Sequence, residues 1–178
     1  MTRRVVTGCG EGGASTFVSD GPSPWSASFV SIPGFQVSML WSTDGPDLRA
    51  AADFADTGNW PESWVPTAGG SRALVVTFPP DSVFMSDSFD GMAAHREQMA
   101  KLPGLAEKFE VENPGMHTTQ TLDYAVVLSG PIHLELDNGQ TKELQTSDIV
   151  VQRATRHAWR NPSSSPATML FVLLGVAS

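Results

Sequence analysis

The sequence predicts an all-β protein built from short antiparallel strands, and three observations support this prediction. The chain of 178 residues contains 16 glycines and 13 prolines, which interrupt it too often for long helices. The hydrophobic fraction of 40% is sufficient for one sizeable core. From residue 123 onwards, apolar runs alternate with turn signals at intervals of about eight to twelve residues, which is typical of an antiparallel barrel or sandwich.

Short β-like runs separated by turn residues occur at intervals within the first 78 positions. Pro33-Gly34 is a turn signal between two of these runs, and Pro79-Pro80 closes the last one. The predicted strands are Arg3–Thr7, Thr16–Ser19, Ser28–Ile32, Phe35–Trp41 and Arg72–Phe78.

A long segment without strand pattern, Ser42–Gly70, interrupts this series. It contains Trp60 and Trp64. Because a structureless loop of this length is uncommon in a compact domain, we expect an ordered loop that is anchored by its tryptophans.

The segment Asp87–Phe109 is predicted to be helical. Asp87 or Ser88 is the expected N-cap, and Pro103-Gly104 is expected to interrupt the helix near its end. An apolar stripe should face the core; its members are Met92, Met99, Leu102 and Leu105.

The C-terminal third of the chain has the most regular pattern. Residues 132–136 alternate between apolar and polar, which is the period of a half-buried strand. Asn138-Gly139 is the preferred sequence for a type I′ hairpin turn, because both central residues need a positive φ. The predicted strands are Asp123–Ser129, Ile132–Leu136, Lys142–Gln145, Asp148–Gln152, His157–Asn161 and Thr168–Leu174.

Composition and charge exclude several classes of partner. The net charge is −8, with no basic cluster beyond Arg3-Arg4, so nucleic acid and anionic membrane surfaces are not expected partners. The longest apolar run, Met169–Ala177, is too short for the roughly 20 residues that span a bilayer. The single cysteine, Cys9, cannot form an internal disulfide, so we expect a cytoplasmic protein.

Two segments carry residues suited to chemistry. In the first, His117 and Thr119 precede Asp123, and Gly130 follows at the end of the same predicted strand. In the second, Asp148 begins an apolar strand, His157 follows it, and Asn161 lies four residues after His157.

These two segments resemble the two motifs of the cupin superfamily. The resemblance implies an antiparallel β-barrel of jelly-roll type, with residues 111–178 as the motif-bearing core. Residues 1–110 would then form an N-terminal extension of strands, loop and helix that packs on the barrel, within one domain overall. Thr119 replaces the second histidine of the family pattern and Asp123 replaces its glutamate; in the second motif, Gln152 and Ala154 replace proline and glycine.

Alternation places the candidate side chains on one face. Residues two apart on a strand point to the same side, so His117, Thr119, Thr121 and Asp123 should share a face if the strand is unbroken. The resemblance implies that this face is the barrel interior, where His157 would join them. Other expected pocket residues are Gln152 and Trp159.

Three hypotheses are compatible with these residues. In the first, His117, Asp123 and His157 bind a divalent metal (Fe, Mn, Zn or Ni) as a two-histidine, one-carboxylate set. In the second, the same three residues act as general acid and base without a metal. In the third, the protein binds a small molecule without catalysis.

The favoured function is a small-molecule enzyme of lyase or isomerase type. Decarboxylation or dehydration of an organic acid or of an aromatic or polyketide-like metabolite needs only a polarising group and a proton shuttle. A metal-dependent dioxygenase is the main alternative, and a non-catalytic binding cupin is the other. Exposed edge strands favour a homodimer.

Overall fold

The computed structural model describes residues 2–45 and 62–177, and this part of the chain is mostly β-strand with one α-helix, as predicted. The first strands are β1 (Arg3–Cys9), β2 (Ser15–Pro22), β3 (Trp25–Ser28), β4 (Gln36–Thr43) and β5 (Ser71–Phe78), followed by the helix α1 (Gly91–Lys101). The remaining strands are β6 (Thr121–Ser129), β7 (Pro131–Glu135), β8 (Thr141–Gln145), β9 (Ile149–Arg153), β10 (Ala158–Arg160) and β11 (Ala167–Gly175).

The strands form a six-stranded sheet, a three-stranded sheet and a separate hairpin. The six-stranded sheet has the order β3-β4-β5-β11-β6-β9, the smaller sheet has the order β10-β7-β8, and β1 pairs with β2. All of these pairings are antiparallel. Val76, Val127 and Phe171 of the large sheet belong to the same buried hydrophobic cluster as Ile132 of the small sheet. The two sheets therefore enclose a shared core, as expected for an antiparallel barrel.

The predicted strand Ser28–Ile32 is wrong, because the backbone of this segment bonds within a loop and to the helix. The strand is Trp25–Ser28, and the residues after it form a loop in which Phe35 donates its N–H to the Ile32 carbonyl (3.0 Å). The amide groups of residues 30 and 31 donate instead to the carboxylate of Glu97 on the helix.

The helix begins later than predicted. The carboxylate of Asp90 accepts a hydrogen bond from the Ala93 N–H (3.0 Å), so Asp90 is the N-cap and neither Asp87 nor Ser88 has this role. With bounds of Gly91–Lys101, the helix is also shorter than the predicted segment. No helix in the described part of the chain is long and apolar enough to cross a membrane.

The helix is attached to the barrel by polar contacts and by part of the predicted apolar stripe: Leu102, just after the helix, is buried in the core, and Leu105 packs against it. Met92 is 68% exposed and Met99 is 37% exposed, so the stripe is wrong at these two positions. Glu97 accepts hydrogen bonds from the backbone at residues 30 and 31, and the Lys101 ammonium donates to the Ser28 carbonyl (2.7 Å). These bonds fix the helix against the loop that follows β3.

The long segment Ser42–Gly70 has the aromatic anchor that was predicted, as far as it is described. The Trp64 side chain is fully buried in the core. The buried guanidinium of Arg72 donates to the Ser63 carbonyl (3.0 Å), which holds the backbone beside this tryptophan. Trp60 lies outside the described residues.

The turn between β7 and β8 has the predicted primed geometry. Asn138 and Gly139 both have a positive φ, 59° and 68°. The Gln140 N–H donates to the Asp137 carbonyl (3.3 Å), which closes the turn.

We predict that Gly139→Val destabilises the protein by about 1–2 kcal/mol, because a β-branched residue resists a positive φ. No atom of residues 2–45 or 62–177 lies within 4 Å of a Cβ at this position, so the expected cost comes from the backbone. Gly21→Val in β2 is the matched control, because that position is equally open and its φ is not positive. Equal melting midpoints of the two variants would contradict the primed turn.

Candidate active site

His117 and His157 form the centre of the candidate site. The two residues make an isolated antiparallel bridge in which each N–H donates to the carbonyl of the other, both at 3.0 Å. Their imidazole rings are tilted by 49°, with centroids 4.3 Å apart. The structure therefore brings the histidines of the two motif segments into direct contact.

Both imidazoles are held in the same tautomer. Nδ1 of His117 lies 3.0 Å from the Gly115 carbonyl oxygen, and Nδ1 of His157 lies 2.9 Å from the Thr155 carbonyl oxygen. A carbonyl oxygen can only accept, so in the neutral ring Nδ1 carries the proton. This leaves Nε2 of each ring available to accept a proton.

Burial keeps both histidines neutral. The pKa of His157 is lowered to about 4, mainly by burial and also by the neighbouring His117, while the bond to the Thr155 carbonyl opposes the shift. Burial also lowers the pKa of His117, against the opposing effects of the Gly115 carbonyl and the Glu110 carboxylate. At neutral pH the pair therefore consists of two bases without charge.

Asp123 supplies a buried carboxyl group whose pKa is raised, whereas the pKa values of the histidines are lowered. Thr121, Asp123, Ala125 and Val127 alternate as the buried residues of β6, so Asp123 lies on the face of the strand that leads into the core. Burial raises the pKa of Asp123 to about 6, and a hydrogen bond from the Thr121 side chain opposes this rise. Its Oδ1 atom is buried and has no hydrogen-bond partner among the described residues. An unsatisfied buried oxygen is costly, which makes this carboxyl a candidate for a functional group.

Three further polar residues predicted for the pocket are buried near the start of β6. The hydroxyl groups of Thr119 and Thr121 lie 2.7 Å apart. Gln152 is opposite Asp123 in the register of β6 and β9, and its Nε2 donates to the Thr155 hydroxyl (2.6 Å). Gln152 therefore holds the loop whose carbonyl group orients His157.

Aromatic rings cover both imidazoles. The Trp159 ring packs edge-to-face on His157 at 5.9 Å and on Phe171 at 5.5 Å. Phe109 packs in the same way on His117 at 5.0 Å. Trp159 thus connects the histidine pair with the hydrophobic core.

The predicted metal set of His117, Asp123 and His157 is not assembled. Among residues 2–45 and 62–177, no three His, Cys, Asp or Glu side chains are placed to hold a metal ion. The prediction that His117 and Asp123 share a face assumed one continuous strand. In the structure, β6 begins only at Thr121, and His117 forms its bridge outside this strand. Two imidazoles without a third donor beside them do not fit a three-ligand centre, and the Thr119 hydroxyl is bonded to its neighbour.

Sequence reasoning missed two arginines that flank the second histidine. Arg156 and Arg160 line a cavity of about 350 Å³ together with Met116, next to His117 in the chain. The cavity also has the carboxylates of Glu112 and Glu135 in its wall, and the imidazoles do not line it. The signal for these arginines was their position immediately before His157 and three residues after it.

The chain is similar in sequence to proteins of fungal biosynthesis clusters. The chain is 48% identical over 60 residues to the Phomopsin biosynthesis cluster protein C′ of Diaporthe leptostromiformis, covering 33% of this chain and 32% of that protein. It is 45% identical over 67 residues to the cupin-domain-containing oxidoreductase fogC of Aspergillus ruber, covering 36% and 32%. These matches span about a third of the length of the relatives.

A longer match has lower identity. The cupin-domain-containing oxidoreductase srdB of Neurospora crassa is 27% identical over 152 residues, covering 81% of this chain and 76% of that protein. A crystal structure of a Cupin 2 conserved barrel domain protein from Salinispora arenicola is similar with a TM-score of 0.41 at 14% identity, covering 79% and 75%. No family model matches the chain.

The chain is similar to curated cupin-domain proteins, over about a third of its length at 45% identity and over 81% of its length at 27% identity. The similarity to curated cupin-domain proteins agrees with the two motif segments and with the antiparallel sheets.

We predict that Asp123→Asn stabilises the protein at neutral pH and has little effect at pH 4. The folded-state pKa of Asp123, about 6, is above its ordinary value of 3.8. The carboxyl group therefore contributes stability below pH 4, which is lost as the pH rises through 6. The difference in unfolding free energy between variant and parent should grow by up to about 3 kcal/mol between pH 4 and pH 7.

Chemical denaturation at a series of pH values measures this difference. Asp148→Asn is the control, because Asp148 is exposed and its carboxylate accepts a bond from the Gln145 N–H. A difference that stays constant between pH 4 and pH 7 for Asp123→Asn would show that this carboxyl has an ordinary pKa.

Proposed function

We propose that the protein is a small-molecule enzyme of lyase or isomerase type in which His117, His157 and Asp123 move protons. The observation that carries the proposal is a contact pair of neutral imidazoles beside a strand whose buried carboxyl group holds its proton unusually well. Proton transfer in both directions requires a base and an acid of similar pKa. A raised carboxyl pKa and a lowered imidazole pKa bring the two groups into the same range. The substrate class is an organic acid or an aromatic or polyketide-like metabolite.

The imidazoles serve as the base. Because Nδ1 of each ring is bonded to a carbonyl oxygen, Nε2 is the atom that accepts a proton from substrate. The contact between the rings disfavours a charge on both at once, so one ring accepts the proton while the other stays neutral. The two backbone bonds of the bridge fix the distance between the rings during this change.

Asp123 serves as the acid. In a dehydration, Nε2 accepts the proton α to a carbonyl group, the C–O bond at the β carbon breaks, and Asp123 protonates the departing hydroxide to give water. The imidazolium then loses its proton to water and the carboxylate takes one up from water, which restores both groups. The rate should be greatest between about pH 4 and pH 6, where His157 is neutral and Asp123 is protonated.

The surrounding side chains support this chemistry. The rings of Trp159 and Phe109 shield the imidazoles from water, which strengthens electrostatic interactions inside the site. The hydroxyl groups of Thr119 and Thr121 bond to each other in the structure, and they can exchange this bond for bonds to polar groups of a substrate. Few polar groups in apolar surroundings are typical of a small-molecule pocket.

The relatives support small-molecule metabolism and favour a second candidate function. Several are named as proteins of biosynthesis clusters, which agrees with an enzyme of small-molecule synthesis. Others are named cupin-domain-containing oxidoreductases, and this favours a redox reaction as the alternative. The two candidates differ in electron balance, because an elimination or isomerisation consumes no oxidant.

We predict proton exchange or elimination on a panel of β-hydroxy acids, β-keto acids and aromatic polyketide-like acids. The reaction is followed by NMR in D₂O, without oxygen and with a chelator, so that deuterium incorporation and loss of water or CO₂ are both detected. His117→Ala, His157→Ala and Asp123→Asn should each lower the rate by about 10²-fold or more. His95→Ala on the exposed side of the helix is the control and should leave it unchanged.

Turnover of the panel that requires oxygen or an added metal would contradict the proposal and favour the oxidoreductase. Turnover that survives in all three site variants would place the reaction elsewhere on the protein. Binding of a panel compound without turnover would favour a cupin that only binds its ligand.

A further inference from the structure

The segment before His117 has no regular secondary structure of its own. It runs from Glu110 to Met116, and the Glu110 N–H donates to the Met116 carbonyl (2.8 Å), which closes it into a loop. Its central residues are exposed; Val111, for example, is 82% exposed. The loop ends directly at His117, so the position of that imidazole depends on how the loop is held.

Arg156 holds this loop from the side of the second histidine. Its Nε and Nη2 atoms donate to the two carboxylate oxygens of Glu110, both at 2.6 Å. Its Nη1 donates to Asp137 in the β7–β8 turn (2.7 Å). Arg156 precedes His157 in the chain, so a bidentate ion pair connects the neighbour of one histidine with the base of the loop that leads to the other.

The form of this ion pair matters more than its strength. Both side chains are about one-third exposed, and exposed ion pairs contribute little to stability. A bidentate pair between a guanidinium and a carboxylate fixes direction as well as distance, which a lysine ammonium does not. The pair is therefore suited to setting geometry.

Arg160 makes a second attachment to the same loop. Its Nη1 donates to the Pro114 carbonyl (2.7 Å) and its Nε to Glu135 (2.6 Å). The next residue, Gly115, has a φ of 85°, and its carbonyl oxygen is the partner of His117 Nδ1. A Cβ at Gly115 would lie 3.0 Å from Arg160 Nη1, so the guanidinium is packed closely against this turn.

We propose that Glu110 and Arg156 are positioning residues that set the contact between His117 and His157. They act through the loop at residues 110–116 and the loop before β10, and they do not touch the reacting atoms. The proposal rests on the proposed function for its catalytic meaning, whereas the geometry it describes can be measured without a substrate.

The test uses Arg156→Lys and Glu110→Gln in the full chain. We expect amide hydrogen exchange at His117 and His157 to accelerate about ten-fold or more, because their reciprocal bonds open more often. Amides in the centre of β11, such as Phe171, should keep their rates. The imidazole ¹⁵N signals of both histidines should shift in the same variants.

The control is Asp20→Asn, which breaks a bidentate pair with Arg3 that is matched in form and lies in the β1–β2 hairpin (2.7 Å for both bonds). It should leave the exchange rates and the imidazole signals of the histidines unchanged. A second variant, Asp137→Asn, removes only the exposed third bond of Arg156 and should have a small effect.

Unchanged exchange at His117 and His157 in both site variants would overturn the proposal. Equal acceleration at Phe171 would also overturn it, because the pair would then only stabilise the barrel in general. When a substrate is in hand, kcat should fall more than KM rises in Arg156→Lys. Failure of every panel compound would count against the proposed function, while the exchange result would still decide the positioning role.

Discussion

The candidate site depends on the two backbone hydrogen bonds that His117 and His157 exchange. Neither residue belongs to a long strand at this point, so the bridge is the local contact that places two imidazoles 4.3 Å apart. The same geometry directs each Nδ1 to a carbonyl oxygen two residues earlier in the chain. The spacing and the mutual electrostatic influence of the rings follow from this one pair of peptide groups, and the Gly115 and Thr155 carbonyl oxygens set the tautomer.

Burial shifts the pKa values of the histidines and of the carboxyl group in opposite directions. Loss of solvent disfavours the charged form of every group, so it lowers the pKa of an imidazole and raises that of a carboxyl group. At His157 and Asp123 these shifts cross, with pKa values of about 4 and about 6. Between about pH 4 and pH 6, a neutral His157 and a protonated Asp123 can therefore coexist in the protein.

The sequence was informative where a residue's role depends on its immediate neighbours. Asn138-Gly139 determines its turn through backbone sterics alone, and alternation identified the buried face of β6 from Thr121 onwards. The motif spacing predicted that His117 and His157 meet, and the structure places them in contact. Trp64 was recognised as an anchor because a large aromatic side chain in a long loop needs a partner to pack against.

The features that sequence reasoning missed depend on contacts between distant segments. Glu97 accepts hydrogen bonds from backbone amides 66 and 67 residues away, in the segment that was predicted as the strand Ser28–Ile32. In the structure these residues form a loop after β3. Arg156 reaches Glu110 across 46 residues, and nothing near either residue indicates the pair. The three-ligand metal set was predicted from a continuous strand, and the bridge outside β6 removed the continuity on which that set depended.

The titration of Asp123 and His157 by NMR tests the central claim most directly. Carboxyl ¹³C signals report the protonation of Asp123, and imidazole ¹⁵N signals report both the charge and the tautomer of His157. The structure predicts an Asp123 midpoint near pH 6 and a His157 ring that stays neutral, with its proton on Nδ1, down to about pH 4. An Asp123 midpoint near its ordinary value of 3.8, together with protonation of His157 near 6.5, would contradict the account.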